Sequence, residues 1–155
     1  MKILSSAFRG GEEIPRKYTR EGEDVSPPLA VEGVPGGARS LALIVDDPDA
    51  PNRTWVHWLI WDIPASRTEL PEGVPTDGTV PALEGARQGV NDFDRIGWGG
   101  PMPPRGHGTH HYRFTVHALS EELGLDPGAD RSALEAAMQG RVLARARLTG
   151  TYERD

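Results

Sequence analysis

The run "HHYRFTVHALS" (His110–Ser120) spaces histidine and tyrosine as a strand would. A period of two sets His110, Tyr112, Phe114, Val116 and Ala118 on one face and His111, Arg113, Thr115 and His117 on the other. The first face is apolar with a polar end, where an imidazole and a phenol can hold a proton or donate to a ligand. The second reads as solvent-facing. A second source of chemistry is "DDPDAP" (Asp46–Pro51), where two prolines restrict the backbone around Asp47 and Asp49. Such a bracket either fixes the two carboxylates toward a partner or is a solvated turn whose Asp side chains accept from nearby backbone N–H groups. His57, inside the apolar run "TWVHWLIWDIP", is either a site residue or a hydrogen-bonded core histidine.

The stretch "GWGGPMPPRGHGT" (Gly97–Thr109) delivers the chain into His110. Gly97, Gly99 and Gly100 permit close backbone approach, and Pro101, Pro103 and Pro104 stiffen the rest of the loop. It lacks the G-K-[ST] ending of a phosphate-binding P-loop, and no βαβ unit surrounds it as a dinucleotide fingerprint requires. A metal site on His107, His110 and His111 with Asp47 or Asp49 is disfavoured, because the strand sends His110 and His111 to opposite faces and H-E-x-x-H spacing is absent. No G-x-S-x-G elbow supports a serine hydrolase.

The elements that must hold these residues are mostly strands. In "RSLALIVDD" both alternating sets, Leu41, Leu43, Val45 and Ala42, Ile44, are apolar, so a central strand covered on both faces is predicted. "TWVHWLIWDIP" predicts a second, with Trp55, His57, Leu59 and Trp61 on one face and Val56, Trp58 and Ile60 on the other. "SALEAAMQG" predicts a helix, with capping-box spacing at Ser132 and Glu135 and a stop at Gly140. The next run, "RVLARARLTGTYER", has helical propensity, but Val142, Ala144, Ala146, Leu148 and Tyr152 alternate with charged residues, and the alternation predicts a strand. Between residues 64 and 109 the Gly- and Pro-rich chain is too long for one structureless loop, so short strands or turns are expected, at "ARQGVNDFD" especially.

At 155 residues the chain fits one domain, 1–155. With 17 Lys and Arg against 23 Asp and Glu, a net charge of -6 argues against a duplex nucleic-acid partner and against a polybasic membrane anchor. No cysteine is present, so neither disulfides nor sulfur-ligated metal enter. No segment approaches the roughly 20 apolar residues of a membrane span, and no secretory signal opens the chain, which makes a cytoplasmic, non-spanning protein the expectation. The recurrence of 19 Gly and 14 Pro between short apolar runs favours a β-rich sandwich.

Taken together, "SPPL" (Ser26–Leu29), "DPDAP" (Asp47–Pro51), "WVHW" (Trp55–Trp58), "NDF" (Asn91–Phe93), "GGPMPPRGHGTHHYRF" (Gly99–Phe114) and the closing "GTYER" resemble the phosphatidylethanolamine-binding protein family, in particular its bacterial and archaeal Raf-kinase-inhibitor-like branch. The resemblance implies a mainly β fold, a sandwich of two antiparallel sheets with a few short peripheral helices. It implies a small pocket for phosphate and phosphomonoester anions or phospholipid head groups, walled by Asp47, Asp49, His57, Gly100, Pro101, Met102, Pro103, His110 and Tyr112. No cofactor and no metal are expected, and bacterial relatives suggest a homodimer. Three residues depart from the branch: Trp98 stands where Tyr is usual, Met102 where Cys is frequent, and His111 where Arg is common. Trp98 and Met102 are expected at the pocket rim, His111 on the wet face.

An anion pocket containing carboxylates has a physical rationale if each Asp accepts an imidazole N–H, fixing the tautomer and favouring the cation. His57 and His110 would then donate to the ligand beside the Tyr112 hydroxyl and loop N–H groups. Without a buried Lys or Arg, binding of bare phosphate is expected near millimolar, or about 4 kcal/mol. The chain therefore reads as a non-enzymatic anion-binding protein. The alternative is a regulatory interaction module resembling kinase or protease inhibitors, its protein partner unnamed by the sequence, and a hydrolase or lyase using the Asp and His residues ranks last.

Overall fold

The computed structural model describes residues 1–155. In chain order it has strands β1 (Lys2–Leu4), β2 (Leu29–Glu32), β3 (Ser40–Asp47), β4 (Trp55–Pro64), β5 (Glu69–Leu70), β6 (Thr79–Val80), β7 (Ala86–Gln88) and β8 (His110–Leu119), then helix α1 (Arg131–Met138) and strand β9 (Val142–Tyr152). Two short 3-10 turns lie at Arg16–Tyr18 and Pro81–Leu83. All named pairings are antiparallel: β1-β2-β5 form a small sheet, and β6-β7-β4-β3-β8-β9 a larger one. The fold is mainly β, as the turn-rich composition led one to expect. No helix is long and apolar enough to cross a membrane.

β3 is buried along its whole length because both its faces are apolar. Leu41, Leu43 and Val45 join Trp58, Ile60, Phe114 and Val116 in the main core, shared with the small sheet. Ala42 and Ile44 face the other way into a second cluster with Val56, Leu59, Trp61 and Leu119, closed by Leu134 and Met138 of α1. Full burial of two side chains of that size contributes about 1.5–3 kcal/mol each. This cover explains one difference from the sequence reading: Thr115 and His117, expected on a wet face, are buried. Arg113 on that face is engaged too, donating from Nε and Nη2 to buried Asp46 at 2.7 and 2.9 Å, while Arg131 of α1 donates to the same carboxylate at 2.7 Å. The three-residue cluster fastens the start of the helix to the sheet.

That helix begins two residues earlier than the capping box at Ser132 suggested. Asp130 is the N-cap, accepting from the Ala133 N–H at 2.9 Å, so Ser132 is inside the first turn. At its far end Gly140 adopts φ +78°, the stop its position predicted. The Arg-rich run after it is the strand β9, paired with β8 from Val142 to Tyr152. Between residues 64 and 109 the chain makes β5, β6, β7 and the second 3-10 turn.

The most consequential departure is in β4. Opposite β3, Val45 pairs with Trp58 but Asp46 with Val56, so His57 is an extra residue in a β-bulge. A bulge re-aims the side chains on either side of it. Val56 consequently joins Leu59 and Trp61 in the outer cluster, whereas Trp58 and Ile60 face the main core. The strict alternation predicted for this strand fails at His57, and the failure turns the imidazole toward the end of β8.

Candidate functional site

At the end of β3 a cavity of about 280 Å3 opens between the turn after that strand, the start of β4, the Gly/Pro loop and the start of β8. Asp47, His57, His110 and Tyr112 supply its polar floor, and all four are buried. Its walls are apolar, among them Pro51, Trp55, Phe93, Met102 and Pro103. Larger depressions exist elsewhere, of about 760 Å3 beside β2 and β5, 700 Å3 beside the end of β9 and 540 Å3 beside α1, but none of the three contains a histidine.

Asp47 serves both roles that the sequence left open. Its Oδ1 accepts from the Asp49 N–H at 2.8 Å, as a stiff turn requires. Its Oδ2 accepts from His110 Nδ1 at 2.6 Å. A carboxylate only accepts, so this contact places a proton on Nδ1 of His110. The other ring nitrogen, Nε2, is 2.5 Å from Nδ1 of His107. A hydrogen bond between those two nitrogens needs a proton on one of them, and it completes the line Asp47–His110–His107 from the cavity floor to the exposed loop.

His57 is held differently from expectation. Its Nδ1 donates to the Gly99 carbonyl at 2.6 Å, not to a carboxylate, and its own carbonyl accepts the Gly99 N–H at 2.9 Å. Burial lowers the pKa of the ring, more than the Gly99 carbonyl and the nearby Asp47 raise it. At neutral pH the ring is therefore uncharged, and Nε2 presents a lone pair. The anticipated pair of imidazolium donors is thus replaced, at His57, by an acceptor.

Donors come instead from the aromatic residues. Burial, with the Asp47 and Asp49 charges, pushes the Tyr112 phenol far above its ordinary pKa, so it keeps its proton. Its hydroxyl is buried and has no hydrogen-bond partner, and the same holds for the indole N–H of Trp55. No Lys or Arg lines the cavity. Two guanidinium groups sit against the aromatic walls: Arg20 at 4.4 Å from the Phe93 ring centre, and Arg53 at 5.3 Å from that of Trp55. Arg53 is paired with Asp92 at 2.6 Å.

Of the nine residues singled out in the sequence, the structure gathers six around this cavity: Asp47, His57, Met102, Pro103, His110 and Tyr112. Asp49, Gly100 and Pro101 lie outside its lining. The Asp49 carboxylate turns to His111, accepting from its backbone N–H and from Nδ1, both at 2.8 Å. Partial burial opposes ionisation of Asp49, but the His111 contacts outweigh it and hold the pKa below the usual carboxylate value. Gly100 anchors the loop from behind: its N–H donates to Asp24 at 2.7 Å, and a Cβ there would stand 2.3 Å from the Tyr18 carbonyl oxygen. Pro101 likewise accepts from the Arg20 N–H at 3.0 Å. The loop N–H of Gly100, expected to face a ligand, is in this way committed to the protein.

Trp98 is not at the rim. It is buried, stacked on Phe114 at 5.9 Å, edge-on to Trp58, and donates to the Tyr18 carbonyl at 3.1 Å. Met102, by contrast, is 44% exposed at the cavity mouth. Ala50, Pro51, Trp55, Phe93 and Pro104 also line the cavity outside the predicted set, although the motifs quoted from the sequence contain all five. No hydroxyl or thiol nucleophile of Ser, Thr or Cys lines the cavity. An Asp-oriented imidazole can move a proton, but here its second nitrogen faces another histidine.

Comparison with known proteins agrees with this architecture. The sequence profile of the family described as phosphatidylethanolamine-binding protein matches residues 4–153. A UPF0098 protein of Aquifex aeolicus is 52% identical, over all of this chain and 90% of its own length. Another, from Pyrococcus horikoshii, is 54% identical over 97% of this chain and 76% of its own. Among solved structures, Escherichia coli YbcL, described as a member of the mammalian PEBP family, superimposes with a TM-score of 0.92 at 36% identity, covering 99% of this chain and 98% of that one.

Proposed function

Because the chain belongs to the phosphatidylethanolamine-binding protein family, we propose that it is a non-enzymatic binding protein whose cavity seats a small phosphate-type anion, free or carried as a head group. The observation that carries this reading is the Tyr112 hydroxyl, a protonated donor buried in a lining residue with nothing in the protein to receive its hydrogen bond. A buried donor left unpaired costs about 1–3 kcal/mol, and a ligand oxygen removes that cost. The indole N–H of Trp55 is a second such donor. A volume of about 280 Å3 suits a phosphate with a short substituent, and the apolar walls suit that substituent's carbon atoms. Calorimetric titration with phosphoethanolamine tests the assignment. Tyr112→Phe is expected to weaken binding at least tenfold, or about 1.4 kcal/mol, with the fold retained. Equal affinity in the variant would remove the assignment.

A protein-contact reading has an observation of its own. β9 forms the edge of the large sheet, and only its far end, near Thr149 and Thr151, is covered by backbone bonds from residues 11–14. Val142 and Leu143 on the open part are 41% and 48% exposed. Such an edge is able to pair with another strand, including that of a second copy. Sedimentation that shows a dimer broken by Leu143→Lys would support this role, and a monomer at all concentrations would exclude the second copy.

A further inference from the structure

Resting on the anion-binding reading above, we propose that the cavity selects oxyanions that still carry a proton, taking a phosphomonoester as its monoanion in preference to proton-free anions of equal charge. Most polar atoms of the lining are already engaged within the protein. Asp47 is used on both oxygens, by the Asp49 N–H and by His110. His110 is used on both nitrogens, by Asp47 and His107. His57 Nδ1 is used by the Gly99 carbonyl. Three groups remain: the Tyr112 O–H and the Trp55 N–H, which donate, and His57 Nε2, an acceptor in the neutral ring whose one proton is on Nδ1 toward Gly99.

A ligand complementary to two donors and one acceptor offers two acceptor oxygens and one hydroxyl. A phosphomonoester monoanion has both. A sulfate ester or a phosphodiester has the same charge but no hydroxyl, so one of its oxygens or ester groups meets the His57 lone pair with nothing between them. A dianion fares no better, since the floor also contains the Asp47 carboxylate and no cationic side chain lines the cavity. The other ionisable groups around His57 are already engaged. Asp92 accepts from the Val56 N–H at 2.6 Å and pairs with Arg53, and Asp46 is held by Arg113 and Arg131. Asp49 faces His111. Arg20, against the Phe93 ring, adds positive charge near the wall without supplying a proton acceptor.

The test compares ligands at one pH, so that the protein's own titration is common to all. At about pH 5, below the phosphomonoester's second pKa of about 6, methyl phosphate is a monoanion with one hydroxyl. Methyl sulfate and dimethyl phosphate are then proton-free monoanions. Methyl phosphate is expected to bind at least tenfold more tightly than either, and His57 Nε2 is expected to show the 15N shift of an accepting nitrogen; a proton on Nε2 at this pH, in the free or the bound protein, would overturn the selection. Equal affinities for the three would overturn the selection while leaving the cavity a general anion site. If none of them binds, the anion-binding reading itself falls. Inorganic phosphate and phosphoethanolamine, run alongside, tell a free anion from a head group; both carry the proton at this pH and both must bind.

Discussion

His110 donates from Nδ1 to Asp47 Oδ2 across 2.6 Å, and the two side chains are 1% and 4% exposed. Each fixes the other: the carboxylate sets the tautomer, and the ring gives a buried charge a strong partner. β3 supplies Asp47 at its last residue and β8 supplies His110 at its first, so the contact ties together two strand ends that are otherwise bordered by loops.

Asp47→Asn is therefore a test of polarity at constant shape. One amide oxygen replaces two carboxylate oxygens, while both the Asp49 N–H and the His110 N–H still need an acceptor. With its oxygen on the Asp49 N–H, the amide NH2 meets His110 Nδ1, so the ring must give up its Nδ1 proton and take the other tautomer. A loss of about 1–3 kcal/mol in urea unfolding is expected, the cost of replacing two hydrogen bonds to a buried carboxylate by neutral ones.

Tyr112→Phe separates binding from folding. Because the hydroxyl has no protein partner, its removal is expected to leave stability unchanged or to raise it by up to about 1 kcal/mol, unlike most changes in a core. Anion affinity falls in the same variant. Paired thermal melts with and without phosphate, which stabilises only the form that binds it, measure both effects.

The buried histidines set a pH dependence. Burial lowers the pKa of His57 and of His117, so each takes up a proton more readily in the unfolded chain than in the folded one. Where the unfolded state binds more protons, stability rises with pH. The protein is thus expected to lose stability as pH falls from about 6.5, the ordinary histidine value, toward the lower folded values. Urea midpoints at pH steps between about 7 and 5 check this, and His117→Gln should flatten part of the slope.

Much of this arrangement was legible in the sequence, and the misses have physical causes. β3, β8 and β9 followed from period-two patterns, and β9 shows alternation overriding the helical propensity of Ala, Leu and Arg. His57 could not be placed by periodicity, since a bulge adds a residue without any sign in the pattern. The burial of Thr115 and His117 depended on α1 crossing the sheet, a tertiary fact. Which atoms of the loop face the cavity was equally hidden: Gly100 is committed to Asp24, a residue 76 positions away that no local signal marks. Likewise Asp49 reads as the twin of Asp47 until His111 draws it outward.

Trp98 illustrates the same point and yields its own prediction. Its indole packs against Phe114 and Trp58 and bonds the Tyr18 carbonyl, and it is not among the cavity-lining residues. Trp98→Tyr should cost about 1–3 kcal/mol of stability through lost packing and a lost buried hydrogen bond. Phosphoethanolamine affinity should stay within about twofold, a change of about 0.4 kcal/mol. A large loss of affinity with little loss of stability would return Trp98 to the pocket.

Anion binding in this cavity is best read by an NMR titration with inorganic phosphate that follows the Trp55 indole N–H and the ring signals of all five histidines. Saturable shifts are expected at the Trp55 indole and at His57 and His110, with His111 and His117 unmoved. Shifts confined to the exposed His111, or no saturable response at millimolar phosphate, would contradict the assignment.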